Sequence, residues 1–291
     1  MTELTPAWFS KAVAHPTQSH FVDIDGTPIH YLTWNAHETT KPGLLLAHGF
    51  RAHARWWSCI APYLVDRFRV VALDFSGMGD SGQRAHYSHE CFVKDVAGVI
   101  DNAGFEQVTL VGHSFGGSRV LGTCAAHPQR VEHAVIIDSY IPIPEFPRRE
   151  RFPDLPRTKR TYATYEAARE RFKLVPEHNC SAPYVLDYVA MHSMKQVADG
   201  WTWKFHEDYA RTIDDPAAEA AHNAALIGQV AMPVSVIYGD QSIVMTKPLA
   251  EALTRRLQQG RGPIEIPESH HHVLLDQPLS LVSALRAVLC D

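Results

Sequence analysis

An α/β fold, with a mostly parallel central sheet flanked by helices, follows from three observations on this chain of 291 residues. Apolar strand-like runs alternate with amphipathic stretches through the first half, as βαβ units require. One such run ends in the glycine-bracketed turn Gly112-His113-Ser114-Phe115-Gly116 and leads directly into helical spacing. A proline-rich segment then interrupts the alternation once before it resumes toward the C-terminus.

The strand expectations, in order, are 20–24, 28–34, 43–47, 69–74, 107–111 and 131–138. The run Leu44-Leu45-Leu46-Ala47 is apolar at every position, the mark of a strand covered on both faces. Helical spacing falls at 56–65, 89–103 and 114–127, with Gly104 and Pro128 as stop signals just past two of them. Pro142, Pro144, Pro147, Pro153 and Pro156 then break the pattern, and the chain to about residue 228 is polar, aromatic and helix-prone without clear strands. A strand at 233–238, a helix at 247–258, a short strand at 263–266 and a helix at 278–289 restore the order. The expected organisation is therefore a core of 1–140 and 229–291, interrupted by a helical cap insertion at 141–228.

Composition narrows the function. Apolar residues make up 45% of the chain and charged residues 20%, enough to bury a core and too ordinary for a disordered segment. Lys and Arg number 27 against 32 Asp and Glu, for a formal charge of −5, so no basic surface is available to hold a phosphate backbone and nucleic acid is not an expected partner. The first residues lack a basic start followed by an apolar run, so no signal peptide is expected, and no run of apolar residues is long enough for a membrane span. The five cysteines, Cys59, Cys91, Cys124, Cys180 and Cys290, are scattered and form no C-x-x-C pair. They argue against a disulfide framework or a zinc knuckle and fit a reducing cytoplasm. A small-molecule substrate is the partner that remains, and the oligomeric state is left open.

The chemistry concentrates at Ser114. A G-x-S-x-G turn between a strand and a helix is a nucleophile elbow: glycines at 112 and 116 allow close backbone approach, and the serine stands at a helix N-terminus that favours developing negative charge. An ordinary glycine turn with Ser114 as a helix cap is the alternative. A serine hydroxyl needs a base to take its proton, and Glu268-Ser269-His270-His271-His272 supplies histidines after the last expected strand.

With that order of residues the chain resembles the α/β-hydrolase superfamily over nearly its whole length outside the cap. His271-His272-Val273-Leu274-Leu275-Asp276-Gln277-Pro278 is similar to the family stretch in which the catalytic histidine precedes an acidic residue and a proline, and this register implies His271. His270 stands where the family usually has glycine, so His270 is the neighbouring alternative. His48-Gly49-Phe50 resembles the family's His-Gly-x oxyanion motif, implying the backbone N–H groups of Phe50 and Phe115 as the oxyanion hole. The turn Asp74 to Ser81 resembles the family's glycine turn and is expected to be structural.

The acid departs from the commoner pattern. Most relatives place it in a Gly-x-x-Asp turn, where this chain has Gly239-Asp240-Gln241-Ser242. Another branch places it directly after the strand that follows the nucleophile helix, and here that strand ends in Asp138. The expected triad is Ser114, His271 and Asp138, with Asp240 as the alternative acid. No metal or cofactor is called for. A metal site at His270-His271-His272 is disfavoured, because consecutive loop histidines rarely converge on one ion without Asp, Glu or Cys ligands nearby.

The family's epoxide hydrolases and haloalkane dehalogenases use aspartate at the elbow, so Ser114 points instead to acyl transfer. The resemblance implies a serine hydrolase acting on a carboxylic ester, with thioesterase, lactonase or carbon–carbon bond hydrolase as alternatives on the same residues. A small-molecule receptor with vestigial hydrolysis is the alternative from a different class. Within the cap, the stretches 201–205 and 184–188 are candidates to line an apolar acyl pocket or to form the cap's own small core, and Arg148-Arg149-Glu150-Arg151 reads as a solvated edge.

Overall fold

A computed structural model describes residues 5–146, 160–206 and 224–289. Pro147, Pro153, Pro156, the basic run 148–151 and Cys290 lie outside the described residues.

Eight strands form one sheet in the order β1-β2-β4-β3-β5-β6-β9-β10. They are β1 (Gln18–Ile24), β2 (Thr27–Thr33), β3 (Gly43–Ala47), β4 (Arg69–Leu73), β5 (Val108–His113), β6 (Val131–Ile137), β9 (Val234–Gly239) and β10 (Gly260–Ile266). The β1–β2 and β2–β4 pairs are antiparallel and every other pair is parallel. All eight expected strands form, with ends that move by up to three residues.

Side-chain alternation splits the sheet between two cores, since successive residues of a strand face opposite sides. Leu45 and Ala47 join Leu110, Ile136 and Val236 on one face, against helices α2 (His89–Asn102) and α3 (Phe115–Ala126). Leu44 and Leu46 join Val111, Val135 and Ile237 on the other, against a C-terminal helix, Pro278–Leu289. Burial on both sides explains why β3 carries no polar position.

Three local expectations change. The helix expected at 56–65 is two 3₁₀ turns, Ala54–Trp57 and Ala61–Tyr63, because Pro62 lacks the N–H that a continuous helix needs and its ring opposes the preceding turn. A short helix α1 (Ala7–Val13) was not foreseen; Trp8 and Phe9 pack edge-on against Tyr184.

The segment between β6 and β9 also differs from the helix-only expectation. It holds α4 (Tyr165–Arg169) and α5 (Pro183–His192), but also a hairpin of β7 (Met194–Val197) and β8 (Gly200–Trp203). The alternation Trp201-Thr202-Trp203 is the signal for this strand. Thr202 is buried, while Trp201 meets Tyr165 and Trp203 meets Tyr162 and Phe172. Those two tryptophans thus belong to a small core with Ala168, Ala190 and Met194. Among the described residues, no helix is long and apolar enough to cross a membrane.

Candidate active site

Two neighbouring strands deliver the site at their carboxyl ends. β5 runs into Ser114, whose backbone is at φ 53°, ψ −117°, a conformation strained for a residue with a Cβ. The turn closes only because its flanks are glycine: a Cβ at Gly112 would lie 2.6 Å from the Gly116 carbonyl, and one at Gly116 would lie 2.6 Å from the Ala47 carbonyl oxygen. The same strain recurs on the next strand. β6 leads into Asp138, the residue just past its end, also in the left-handed region at φ 46° and fully buried.

The loop after β10 brings the histidine between them. Ser114 Oγ lies 2.9 Å from His271 Nε2, and His271 Nδ1 lies 2.7 Å from Asp138 Oδ1. The imidazole bridges the two side chains through opposite ring nitrogens. Its N–H toward Asp138 leaves Nε2 as the acceptor of the serine proton. The Asp138 carboxylate is satisfied by two further donors, the Gly239 N–H at 3.0 Å to Oδ2 and the Ser242 hydroxyl at 2.6 Å to Oδ1. A buried carboxylate requires such partners.

Asp240, the alternative acid, is not brought to the ring. Its Oδ1 accepts the Ser269 N–H at 3.0 Å, which ties the turn after β9 to the histidine loop. His270 is likewise placed elsewhere: its ring stacks on His178 at 4.5 Å between centroids, and its backbone N–H donates to Asp276 Oδ2 at 2.8 Å. Gly239 is the hinge of this packing, since a Cβ there would stand 2.5 Å from the His270 carbonyl oxygen.

The His48-Gly49-Phe50 turn sits over the elbow: a Cβ on Gly49 would lie 3.4 Å from Ser114 Cβ. His48 Nδ1 donates to the Gly49 carbonyl at 2.6 Å, while its Nε2 accepts the Phe75 N–H at 3.1 Å. Because the 49–50 peptide is planar and trans, fixing that carbonyl also fixes the direction of the Phe50 N–H on the opposite side. His48 therefore sets the direction of this peptide, a contact that the sequence reading passed over in treating His48 only as part of a motif. Phe115 opens α3, where first-turn amides have no acceptor within the helix itself.

Two further histidines, His113 and His272, pack beside the ring. His113 donates from Nε2 to the His271 carbonyl at 2.9 Å, and burial together with the neighbouring His271 pushes its pKa down to about 3. Burial and the adjacent His271 also hold His272 well below its ordinary value. Both neighbours are thus neutral near pH 7. Ser242 and His113 were the site residues that sequence reasoning missed; Ser242 was noted only as the residue standing where an acid was expected.

The segment between β6 and β9 meets this region at several points. His206 N–H donates to the Gly77 carbonyl at 2.7 Å, Lys204 pairs with Asp80 at 2.7 Å, and the Arg51 guanidinium lies 4.3 Å over the Phe205 ring. His53 Nε2 reaches the Val189 carbonyl at 3.1 Å and Ser193 Oγ at 3.0 Å. The turn at Asp74 is structural, as expected: its carboxylate takes His30 Nδ1 at 2.7 Å and the N–H groups of Ala54 and Asp80.

A mostly parallel sheet with a serine turn between its central strand and a helix defines the hydrolase class of α/β folds. The Alpha/beta hydrolase family model matches residues 44–285, and the chain belongs to that family. It is 31% identical over 116 residues to Epoxide hydrolase 4 of Mus musculus, covering 39% of this chain but only 32% of that relative. It is 25% identical over 271 residues to a serine hydrolase-like protein of Danio rerio, covering 83% of this chain and 79% of the relative. Among solved structures, an esterase from Mycobacterium tuberculosis superposes with a TM-score of 0.73 at 23% identity, covering 99% of this chain and all of the other. The thioesterase domain from the curacin biosynthetic pathway superposes with a TM-score of 0.76 at 18% identity, over 93% of this chain and 99% of that domain. These structural likenesses concern the fold.

Proposed function

We propose that this protein is a serine hydrolase that cleaves a carboxylic ester-type bond of a small organic substrate through an acyl-enzyme. The observation that carries the reading is the continuous chain of contacts Ser114 Oγ, His271 Nε2, His271 Nδ1 and Asp138 Oδ1, at 2.9 and 2.7 Å. In this reading Ser114 attacks the carbonyl carbon as His271 takes its proton, and Asp138 orients the ring and stabilises the imidazolium. The Phe50 and Phe115 N–H groups bind the developing oxyanion. His271 then returns the proton to the leaving alcohol, and a water activated by the same ring releases the acid. The described part of the segment between β6 and β9 that contacts the site region, residues 160–206, acts as a lid over the substrate.

Serine at the elbow separates this chain from relatives named as epoxide hydrolase or dehalogenase. Attack of a hydroxyl on an alkyl carbon leaves an ether that water does not reopen. Attack on a carbonyl leaves an ester that it does. The proposed step draws only on the Ser114, His271 and Asp138 side chains, backbone N–H groups and water.

The test is steady-state hydrolysis of short-chain p-nitrophenyl esters, with fluorophosphonate labelling alongside. Many turnovers by the wild-type chain, and neither turnover nor labelling by Ser114→Ala, are expected. A single slow turnover would mark a receptor instead, and labelling of both chains would move the nucleophile elsewhere.

A further inference from the structure

The sequence argument against a metal at the histidine run was the lack of an acidic ligand nearby, and the fold removes that objection. His178, from the segment between β6 and β9, and Asp276, in a short helix (Val273–Asp276) after the histidine loop, both converge on His270. One ligand atom from each of the three lies within 4.8 Å of the others. His178 Nε2 is 3.0 Å from Asp276 Oδ1 and His270 Nδ1 is 3.5 Å from Asp276 Oδ2. With metal–ligand bonds of about 2.0 Å, neighbouring ligands in a tetrahedral site stand ~3.3 Å apart. Both spacings fit.

We infer that His178, His270 and Asp276 form a binding site for a divalent transition-metal ion. Two imidazole nitrogens and one carboxylate oxygen suit Zn²⁺, Co²⁺, Ni²⁺ or Cu²⁺, whereas Mg²⁺ and Ca²⁺ take oxygen donors. Further support comes from how the ligands are held. The Asp276 and His178 side chains are only 2% and 7% exposed, and the His270 N–H already orients the Asp276 carboxylate. His178 and His270 stack at 4.5 Å between centroids and 18° between planes, so one ring turns for both nitrogens to face one ion. His270, at 37% exposure, is free to make that turn about a soft torsion.

Binding replaces the hydrogen bond between His178 Nε2 and Asp276 Oδ1: the neutral ring keeps its one proton on Nδ1, 3.4 Å from the Pro176 carbonyl, and offers the Nε2 lone pair to the ion. Water completes the coordination. The other such cluster among the described residues, His30, Asp74 and Asp80, differs in offering one imidazole and two carboxylates, and Asp74 already holds three donors against the two on Asp276. Metal at the first site would join the segment between β6 and β9 to the residue preceding His271. It would thereby restrain the histidine loop.

The experiment titrates Zn²⁺ calorimetrically into the full chain, without a polyhistidine tag and after chelator treatment, with Co²⁺ absorption as a second readout. One equivalent bound at micromolar metal, visible bands of four- or five-coordinate Co²⁺ and a raised Tm are expected. His178→Gln and His270→Ala should each weaken binding by more than the roughly 10- to 100-fold that loss of an outer-shell partner costs. His271→Ala should bind as the parent does. Zn²⁺ should slow ester turnover by the parent chain but not by His178→Gln. Unchanged binding in His178→Gln, loss of binding in His271→Ala, or equally tight Mg²⁺ would overturn the assignment, whether or not Ser114 proves to be the nucleophile.

Discussion

Two strand ends lie side by side at the carboxyl edge of the sheet, and each carries an aspartate, yet they do opposite things. β6 and β9 pair in parallel, with Ile137 opposite Ile237. Past that level, β6 turns at once into the left-handed region and delivers Asp138, fully buried, to His271. β9 runs two residues further, ends in Gly239, and leaves Asp240 exposed on a backbone amide of the histidine loop. From the β9 turn come two donors, the Gly239 N–H and the Ser242 hydroxyl, and both point at Asp138. The acid and its support have been divided between neighbouring turns. What decides the role of a carboxylate here is whether its strand end can aim it inward and surround it with donors, because a buried carboxylate without them is costly.

The sharpest way to break this comparison is to remove the groups it serves. Ser114→Ala and His271→Ala should each lower kcat for a chromogenic ester by on the order of 10⁶, and the double variant should lose no more, since such residues act as a unit. An additive double loss would dissolve the site into independent contributions.

Next in size is the contrast itself. Asp138→Asn should lower kcat by about 10⁴, because an amide lets the ring adopt the wrong tautomer while the fold stays intact. Circular dichroism and thermal melting check the fold. Asp240→Asn, tested in parallel, should stay within a few-fold of wild type; the reverse ranking would transfer the acid to the β9 turn.

Moving the carboxylate sharpens the argument. Ser242 Oγ already touches Asp138 Oδ1, so an acid at 242 starts within reach of the same space. The exchange Asp138→Ser with Ser242→Asp should recover kcat at least about tenfold over Asp138→Ser alone, a gain of roughly 1.4 kcal/mol in transition-state stabilisation. No recovery would mean that the β6 turn supplies direction as well as charge.

The smallest expected effect belongs to Ser242→Ala. Loss of a donor to a charged acceptor costs about 1.5 to 3 kcal/mol of stability, measurable by urea denaturation, while His271 remains oriented by Asp138. A change below about 0.5 kcal/mol would show that water replaces the hydroxyl without penalty.

Much of this molecule was legible in one dimension because the signals are local. Strands covered on both faces must be apolar at every position, so Leu44 to Ala47 declare themselves. The elbow is likewise readable, since only glycine at 112 and 116 permits the close approach around Ser114. The region around 56–65 misled because helical spacing persists through Pro62, and a single missing N–H divides it into 3₁₀ turns. The hairpin at 194–203 was hidden by its short strands.

Sequence by itself determined the fold class, the serine turn and the stretch that supplies the histidine, all of them consequences of backbone sterics and of side-chain periodicity over a few residues. Only the tertiary structure set Asp138 rather than Asp240 against His271, put the Ser242 hydroxyl on that carboxylate, and gathered His178, His270 and Asp276 into one cluster. The physical reason is that these relations join residues of separate strands and loops, and the register between elements distant in sequence comes from packing and hydrogen bonding across the folded sheet.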